Sequence, residues 1–250
     1  MKNKLLFILL FCATLLKAQS IITTYAGTGV FGYTGNGGPA TNAEVGNVRA
    51  LVFDSLSNFY FTDFNNNIRV IHPSGIIDPV AGTPMTGFSG DGGPAINASL
   101  NFPNGMAIDR AGNLYFGDSD NYRIRKISAS GIITTIAGTG TNGFSGDGGP
   151  AIAANLGSTE GVTLDEKGNL YFVDYNRIRK IDTNQIISTI AGTGASGYSG
   201  DGGQAIFAKL ASPIGVMMDS HGNLYISDTY NYRIRKIDTS ALLLQLQEPV

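Results

Sequence analysis

The side chains able to do chemistry in this chain are mostly acidic, and they recur on a period. Asp54, Asp109, Asp165 and Asp219 form one series. Asp63, Asp118, Asp174 and Asp228 form a second, and both step by 55, 56 and 54 residues. An arginine follows each member of the second series, at Arg69, Arg125, Arg179 and Arg235. A third series lies in Ser-Gly-Asp-Gly-Gly segments as Asp91, Asp147 and Asp201, with Asn36 in the first copy. Carboxylates act as general bases, bind cations or close turns. A residue present in every copy is expected to serve the architecture of the repeat, and chemistry is expected where copies differ. The first series should therefore accept backbone N–H groups in tight turns. The second should pair with the arginines across strands. The third has two readings. Asp can bond its own glycine-rich loop, or its oxygens can hold Ca2+, although calcium takes six to eight oxygens and each loop offers one carboxylate.

Other chemistries have little to work with. His72 and His221 are the two histidines and occupy non-equivalent positions, so no Ser-His-Asp arrangement follows from them. The single cysteine, Cys12, lies inside an N-terminal apolar run. The glycine runs do not open helices, which removes a phosphate-binding loop. One position does differ between copies. Five residues before the first-series Asp the chain reads Arg49, Asn104, Glu160 and Ile214. These four are the ligand-binding candidates. Glu160 and Asn104, together with Asp91, Asp147 and Asp201, are the metal candidates. No other cofactor and no catalytic residue is expected.

The elements that carry these residues read as short strands. Gly161 to Asp165 is a brief apolar stretch, and Glu166-Lys167-Gly168-Asn169 is a tight turn suited to positive φ. Strands are expected next at Leu170 to Val173, Arg177 to Ile181 and Gln185 to Ile190, the last ending at an Ala-Gly-Thr-Gly landmark. That landmark starts at Ala26, Ala137 and Ala191, with Ala81-Gly82-Thr83 in the remaining copy. A lone four-stranded sheet exposes both faces, whereas radial stacking of such sheets buries the faces and leaves short edges. The expected fold is all-β, a β-propeller of four-stranded antiparallel blades.

Composition agrees. Glycine is 34 of 250 residues, about twice the usual share. Hydrophobic residues make up 42%, which argues against disorder. Lys2 and Lys4 precede the apolar run Leu5 to Leu16, and Lys17-Ala18-Gln19-Ser20 breaks it. That is the pattern of a secretory leader, too short for a comfortable membrane span. Its removal would leave 14 Lys and Arg against 19 Asp and Glu and no cysteine. Such a chain lacks the basic surface of a nucleic-acid binder, and it should have no membrane span once the leader is cleaved.

The run Gly143-Phe144-Ser145-Gly146-Asp147-Gly148-Gly149-Pro150-Ala151, followed by Gly161-Val162, Asp165, Gly168-Asn169-Leu170-Tyr171, Asp174 and Arg177-Ile178-Arg179-Lys180-Ile181, resembles the NHL repeat. It is similar to the glycine-rich version of bacterial exported proteins and of the teneurin NHL domain. The resemblance spans residues 21 to about 239 and implies a propeller. Family propellers usually have six blades and this chain has four repeats, so it closes with four or is a truncated copy. The expected organisation is a leader at 1–19, a propeller at 20–240 and a divergent tail at 241–250. Repeats fall at about 47–101, 102–156, 157–212 and 213–240, with 21–25 an extra outer strand. In a propeller the variable position lines the channel mouth, and in related gluconolactonase-type propellers metal ligands sit at similar places. Amidating lyases with NHL-like propellers use several zinc-binding histidines, which this chain lacks.

Three functions fit this reading. The first is an exported non-catalytic binding or scaffold propeller recognising a protein or glycan through its loop face. The second is a metal-dependent hydrolase or lactonase with its site at the channel mouth. The third is an adhesive segment of a larger surface protein. The balance inclines away from an enzyme, in a secreted, periplasmic or cell-surface setting.

Overall fold

The computed structural model describes residues 20–63 and 66–238. The leader and the divergent tail anticipated from the sequence lie outside the described residues.

Four antiparallel sheets follow one another along the chain. The first comprises β1 (Gly38–Pro39), β2 (Leu51–Phe53), β3 (Phe59–Asp63), β4 (Asn67–Ile71) and β5 (Ile76–Ala81). The second comprises β6 (Pro103–Ile108), β7 (Leu114–Asp118), β8 (Arg123–Ile127) and β9 (Ile133–Ala137). The third holds β10 (Thr159–Leu164), β11 (Leu170–Asp174), β12 (Arg177–Ile181) and β13 (Ile187–Ala191). The fourth holds β14 (Val216–Met218), β15 (Leu224–Asp228) and β16 (Arg233–Ile237). Among the described residues helix is confined to single 3-10 turns of three residues each.

Hairpin chemistry explains the meander. Asp109 Oδ1 accepts the N–H groups of Ala111 and Asn113 at 2.9 Å each, and its Oδ2 accepts the Asn113 amide at 2.7 Å. Asp54, Asp165 and Asp219 repeat the arrangement. These carboxylates close turns, as the spacing suggested.

The sheets are the blades of a β-propeller. Strands at the start of each sheet pack together, β2 on β6, β6 on β10 and β10 on β14. Glycine makes this approach possible. A Cβ on Gly161 would lie 2.7 Å from the Ile214 carbonyl oxygen, and one on Gly105, at φ +41°, would strike the Glu160 carbonyl. Gly161 N–H also donates across the blade boundary to Ile214 O at 2.7 Å.

Blades that touch at the axis diverge outward and leave wedges. The long glycine-rich segment between blades fills each wedge. Ala95, Ala98 and Leu100 share a core with Ile68 and Ala81 of the first blade and with Leu114, Phe116 and Ile127 of the second. Ala151, Ala154 and Leu156 do the same between the second and third blades. The segments before the first three blades also track the outer strand of the blade that follows, through Pro39↔Ile76, Pro94↔Ile132 and Pro150↔Ile186.

One feature differs from expectation. The outer strand anticipated at 21–25 is not formed: residues 20–25 are outside any strand, with Ile21 and Ile22 exposed. The fourth sheet has three strands among the described residues, as expected of a last unit whose third strand ends at Ile237.

Candidate functional site

The charged side chains fall into two groups. The first recurs in every blade. Arg125 is fully buried. Its Nη1 donates to Asp118 Oδ2 at 3.1 Å, and its Nη2 donates to Asp91 Oδ1 at 2.8 Å and Ser89 O at 3.0 Å. The Phe88 ring lies 4.7 Å from its guanidinium carbon. Arg179 repeats this with Asp174 at 2.9 Å, Asp147 at 2.8 Å, Ser145 O at 3.1 Å and Phe144 at 4.7 Å. Arg235 takes Asp228 at 3.3 Å, Asp201 at 2.6 Å and Tyr198 at 5.2 Å. Arg69 pairs with Asp63 at 3.5 Å, lies 4.9 Å from Tyr33 and donates to the Glu44 and Thr34 carbonyls.

The second-series aspartates therefore pair with the arginines, as their spacing suggested. Their other oxygen secures the entry to the inner strand: Asp118 Oδ1 accepts Asn101 N–H at 2.8 Å and Asp174 Oδ1 accepts Gly157 N–H at 2.7 Å. Burial pushes the Asp118 and Asp174 carboxyls up, while these N–H groups and the arginines pull them back.

The loop aspartates occupy the wedges. Asp91, Asp147 and Asp201 pair with the third-strand arginines Arg125, Arg179 and Arg235. Their carboxylates are engaged in charge-assisted pairs. Among the described residues no group of three or more His, Cys, Asp and Glu converges as a metal site. His72 approaches Asn58 at 2.9 Å and Asp78 at 3.3 Å, while the His221 N–H closes the Asp219 turn.

The second group is specific to individual blades. Asn104 and Glu160 stand at irregularities of β6 and β10, where a bulge re-aims the strand. The Asn104 amide donates to Glu160 Oε2, and Asn104 Oδ1 accepts Gly105 N–H at 2.9 Å. Ser158 Oγ donates to Glu160 Oε1 at 3.3 Å. Arg49, exposed just before β2, lies 4.2 Å over the Phe102 ring. Partial burial raises the Glu160 pKa above the ordinary carboxyl range and Asp120 adds to the rise. Ser158, Arg49 and Asn104 oppose it. Thus the structure brings together Arg49, Asn104 and Glu160. Ile214, in the fourth copy, contributes its carbonyl to Gly161 and an exposed apolar side chain.

Sequence reasoning missed Phe102, Ser158 and Asp120 around this site. Phe102 and Ser158 lie two residues before the variable position, so a search of its flanks would have found them. The arrangement has one partly buried carboxyl, one amide and one exposed cation. It can hydrogen-bond a polar ligand in several directions, with an aromatic ring beside the cation.

The family model of the teneurin NHL domain matches residues 83–144 and 139–199. Teneurin-4 of Homo sapiens is 31% identical over 242 residues, covering 85% of this chain and 9% of its own length. The chain spans about a tenth of the length of the curated relatives it matches. Among solved structures, a structural-genomics protein of unknown function from Bacteroides thetaiotaomicron superposes with a TM-score of 0.64 at 24% identity, over 76% of this chain and 47% of that one. Virginiamycin B lyase from Staphylococcus aureus superposes with a TM-score of 0.51 at 18% identity, over 81% of this chain and 57% of that one. At these identities the structural likeness is one of fold alone.

Proposed function

The chain belongs to the NHL-repeat family, and we propose that it is an exported, non-catalytic binding propeller that recognises a protein or glycan at the loop face where Arg49, Asn104 and Glu160 meet. One observation carries this reading. The charged groups common to the blades are consumed in internal pairs, whereas this trio differs from blade to blade and keeps an exposed arginine. A ligand that pairs with Arg49 and hydrogen-bonds Asn104 would be selected there by charge and direction. The leader pattern at 1–19 supports export. No helix of the described residues is long and apolar enough to cross a membrane.

A second reading, a hydrolase or lactonase at the same mouth, draws on Glu160. A carboxyl whose proton is held more tightly than usual is the kind of group that serves as a general acid or base. The two readings separate in one experiment. The purified protein is applied to a glycan array and a panel of purified extracellular proteins, alongside Arg49→Ala and Glu160→Gln variants. The binding reading expects a ligand whose retention falls at least tenfold in both variants, with the melting temperature unchanged. Turnover of a lactone or ester that needs Glu160 and a divalent cation would replace it with the enzymatic one.

A further inference from the structure

Among the described residues the fourth blade shows three strands, and the place for an outer one is built on two sides. Among the described residues β16 pairs with β15 alone, whereas β4, β8 and β12 each carry a further strand. In the second blade that strand is also held from outside: Gly92 N–H donates to Ile133 O at 2.8 Å, and Ile133 N–H donates to Gly93 O at 3.0 Å. Gly148 and Gly149 treat Ile187 in the same way. In the fourth blade Gly202 and Gly203 hold these places, and the loop is already folded, with Gly203 N–H donating to Gly200 O at 3.1 Å. Thr135 of β9 donates its hydroxyl to Asp91 at 2.6 Å. Asp201, at the matching position, is 59% exposed against 37% for Asp91.

A segment with the sequence of such an outer strand stands before the first blade. Residues Ile21-Ile22-Thr23-Thr24-Tyr25-Ala26-Gly27-Thr28-Gly29 repeat Ile132 to Gly140 with one change, Tyr25 for Ile136. The downstream half is docked as in other units. Gly27 N–H donates to Ala40 O at 3.0 Å, as Gly138 N–H does to Ala151 O at 3.1 Å. Thr28 N–H donates to Ala43 O at 3.0 Å, as Thr139 N–H does to Ala154 O at 2.9 Å. The upstream half joins no sheet among the described residues, and Ile21 is 83% exposed and Ile22 99%.

We propose that this segment is donated to a second copy of the chain, so that Ile22–Ala26 of one molecule adds, head to tail, to the edge of β16 in the next that carries no strand among the described residues. The β8–β9 register fixes the pairing. Ile22 lies opposite Ile237, Thr23 opposite Lys236, Thr24 opposite Arg235 and Ala26 opposite Ile234, by analogy with Ile133, Thr134, Thr135 and Ala137 on β8. Ile22 fits between β16 and Gly202-Gly203, and the Thr24 hydroxyl reaches Asp201. The junction also covers exposed side chains on the two outward blade faces: Leu51 and Phe53 on the first, Met217 and Ile234 on the last. Donor and acceptor are different surfaces, so the contact is heterologous, with affinity from main-chain hydrogen bonds.

The test is a disulfide trap in protein expressed from the full coding sequence, with Cys12→Ser removing the natural thiol. Thr23→Cys and Lys236→Cys are introduced together and separately. Directly opposed antiparallel residues lie within disulfide reach. The expected result is oxidised dimers or longer chains on a non-reducing gel from the double variant, with none from either single variant mixed with itself. Light scattering of the unmodified protein should give at least twice the monomer mass, and Ile22→Asp should return it to monomer with its circular dichroism unchanged. A monomeric unmodified protein overturns the proposal. So does a disulfide formed within one chain, which would mean that the segment closes its own ring, or a failure to cross-link because the C-terminal tail fills the slot.

Discussion

Arg179 and Arg49 carry the same guanidinium, and the protein surrounds them in opposite ways. Arg179 is wholly enclosed by two carboxylates, a backbone carbonyl and the Phe144 ring. Arg49 rests on the Phe102 ring at the surface, and the carboxylate that feels its charge, Glu160, belongs to another blade. The repeated arginine holds a wedge loop to a blade. The unrepeated one leaves its charge open to an incoming group. In a repeat protein, what a residue type does is decided by whether its neighbours repeat with it.

Truncating each arginine to alanine should produce the largest difference between the two sites. Arg179→Ala leaves Asp174 buried without its partner and should cost about 3–5 kcal/mol. Arg49→Ala should change stability by no more than about 0.5 kcal/mol, as at ordinary surface positions. Equilibrium urea denaturation measures both, and equal effects would erase the distinction.

A smaller effect tests the scaffold that sets the mouth. Gly161→Ala forces a Cβ against the Ile214 carbonyl and the Val216 amide, both backbone. Overpacking there should cost about 1–3 kcal/mol, and ligand retention at Glu160 should fall with it. Unchanged stability would mean that the inner strands have room to separate.

The smallest effect is a pair of opposite pH responses. Hydrogen bonds led by the Asn223 amide hold the Asp219 carboxyl down to about 2. A carboxyl lowered in the folded state contributes stability above its ordinary value and loses it as pH falls toward 2. Glu160 is raised, so its charged form is the disfavoured one, and its contribution worsens as pH rises through its folded value. Asp219→Asn should flatten the acid limb of the stability curve, and Glu160→Gln should flatten the change above the carboxyl range. Chemical denaturation across pH reads both.

Much of this was legible in the sequence because it is local or periodic. The hairpins at Asp54, Asp109, Asp165 and Asp219 are contacts over four residues, and turn chemistry announces them. The Asp118–Arg125 pairing spans seven residues on adjacent strands. The role of the loop aspartates was not legible. Asp91 meets Arg125 across 34 residues, and Phe88 covers the same arginine from the same loop. Such a contact exists because the loop folds into a wedge between blades, and the wedge is a property of their radial arrangement. The mouth was partly legible: Arg49, Asn104 and Glu160 were found by their difference, but Asp120 reaches Glu160 from the neighbouring blade and has no periodic signal of its own.

The wedge loops have a genetic consequence. The loops before the first three blades pack against the outer strand of the blade that follows, as Pro94 does with Ile132 and Pro150 with Ile186. One period of about 55 residues therefore encodes a blade together with the filler that seats it on its predecessor. A tandem duplication of one period, cut at any phase, inserts a complete interface with its buried arginine, both carboxylates and the aromatic lid. Lineages can lengthen or shorten such an array by whole units without redesigning a single contact, so blade number is free to drift faster than the blade itself.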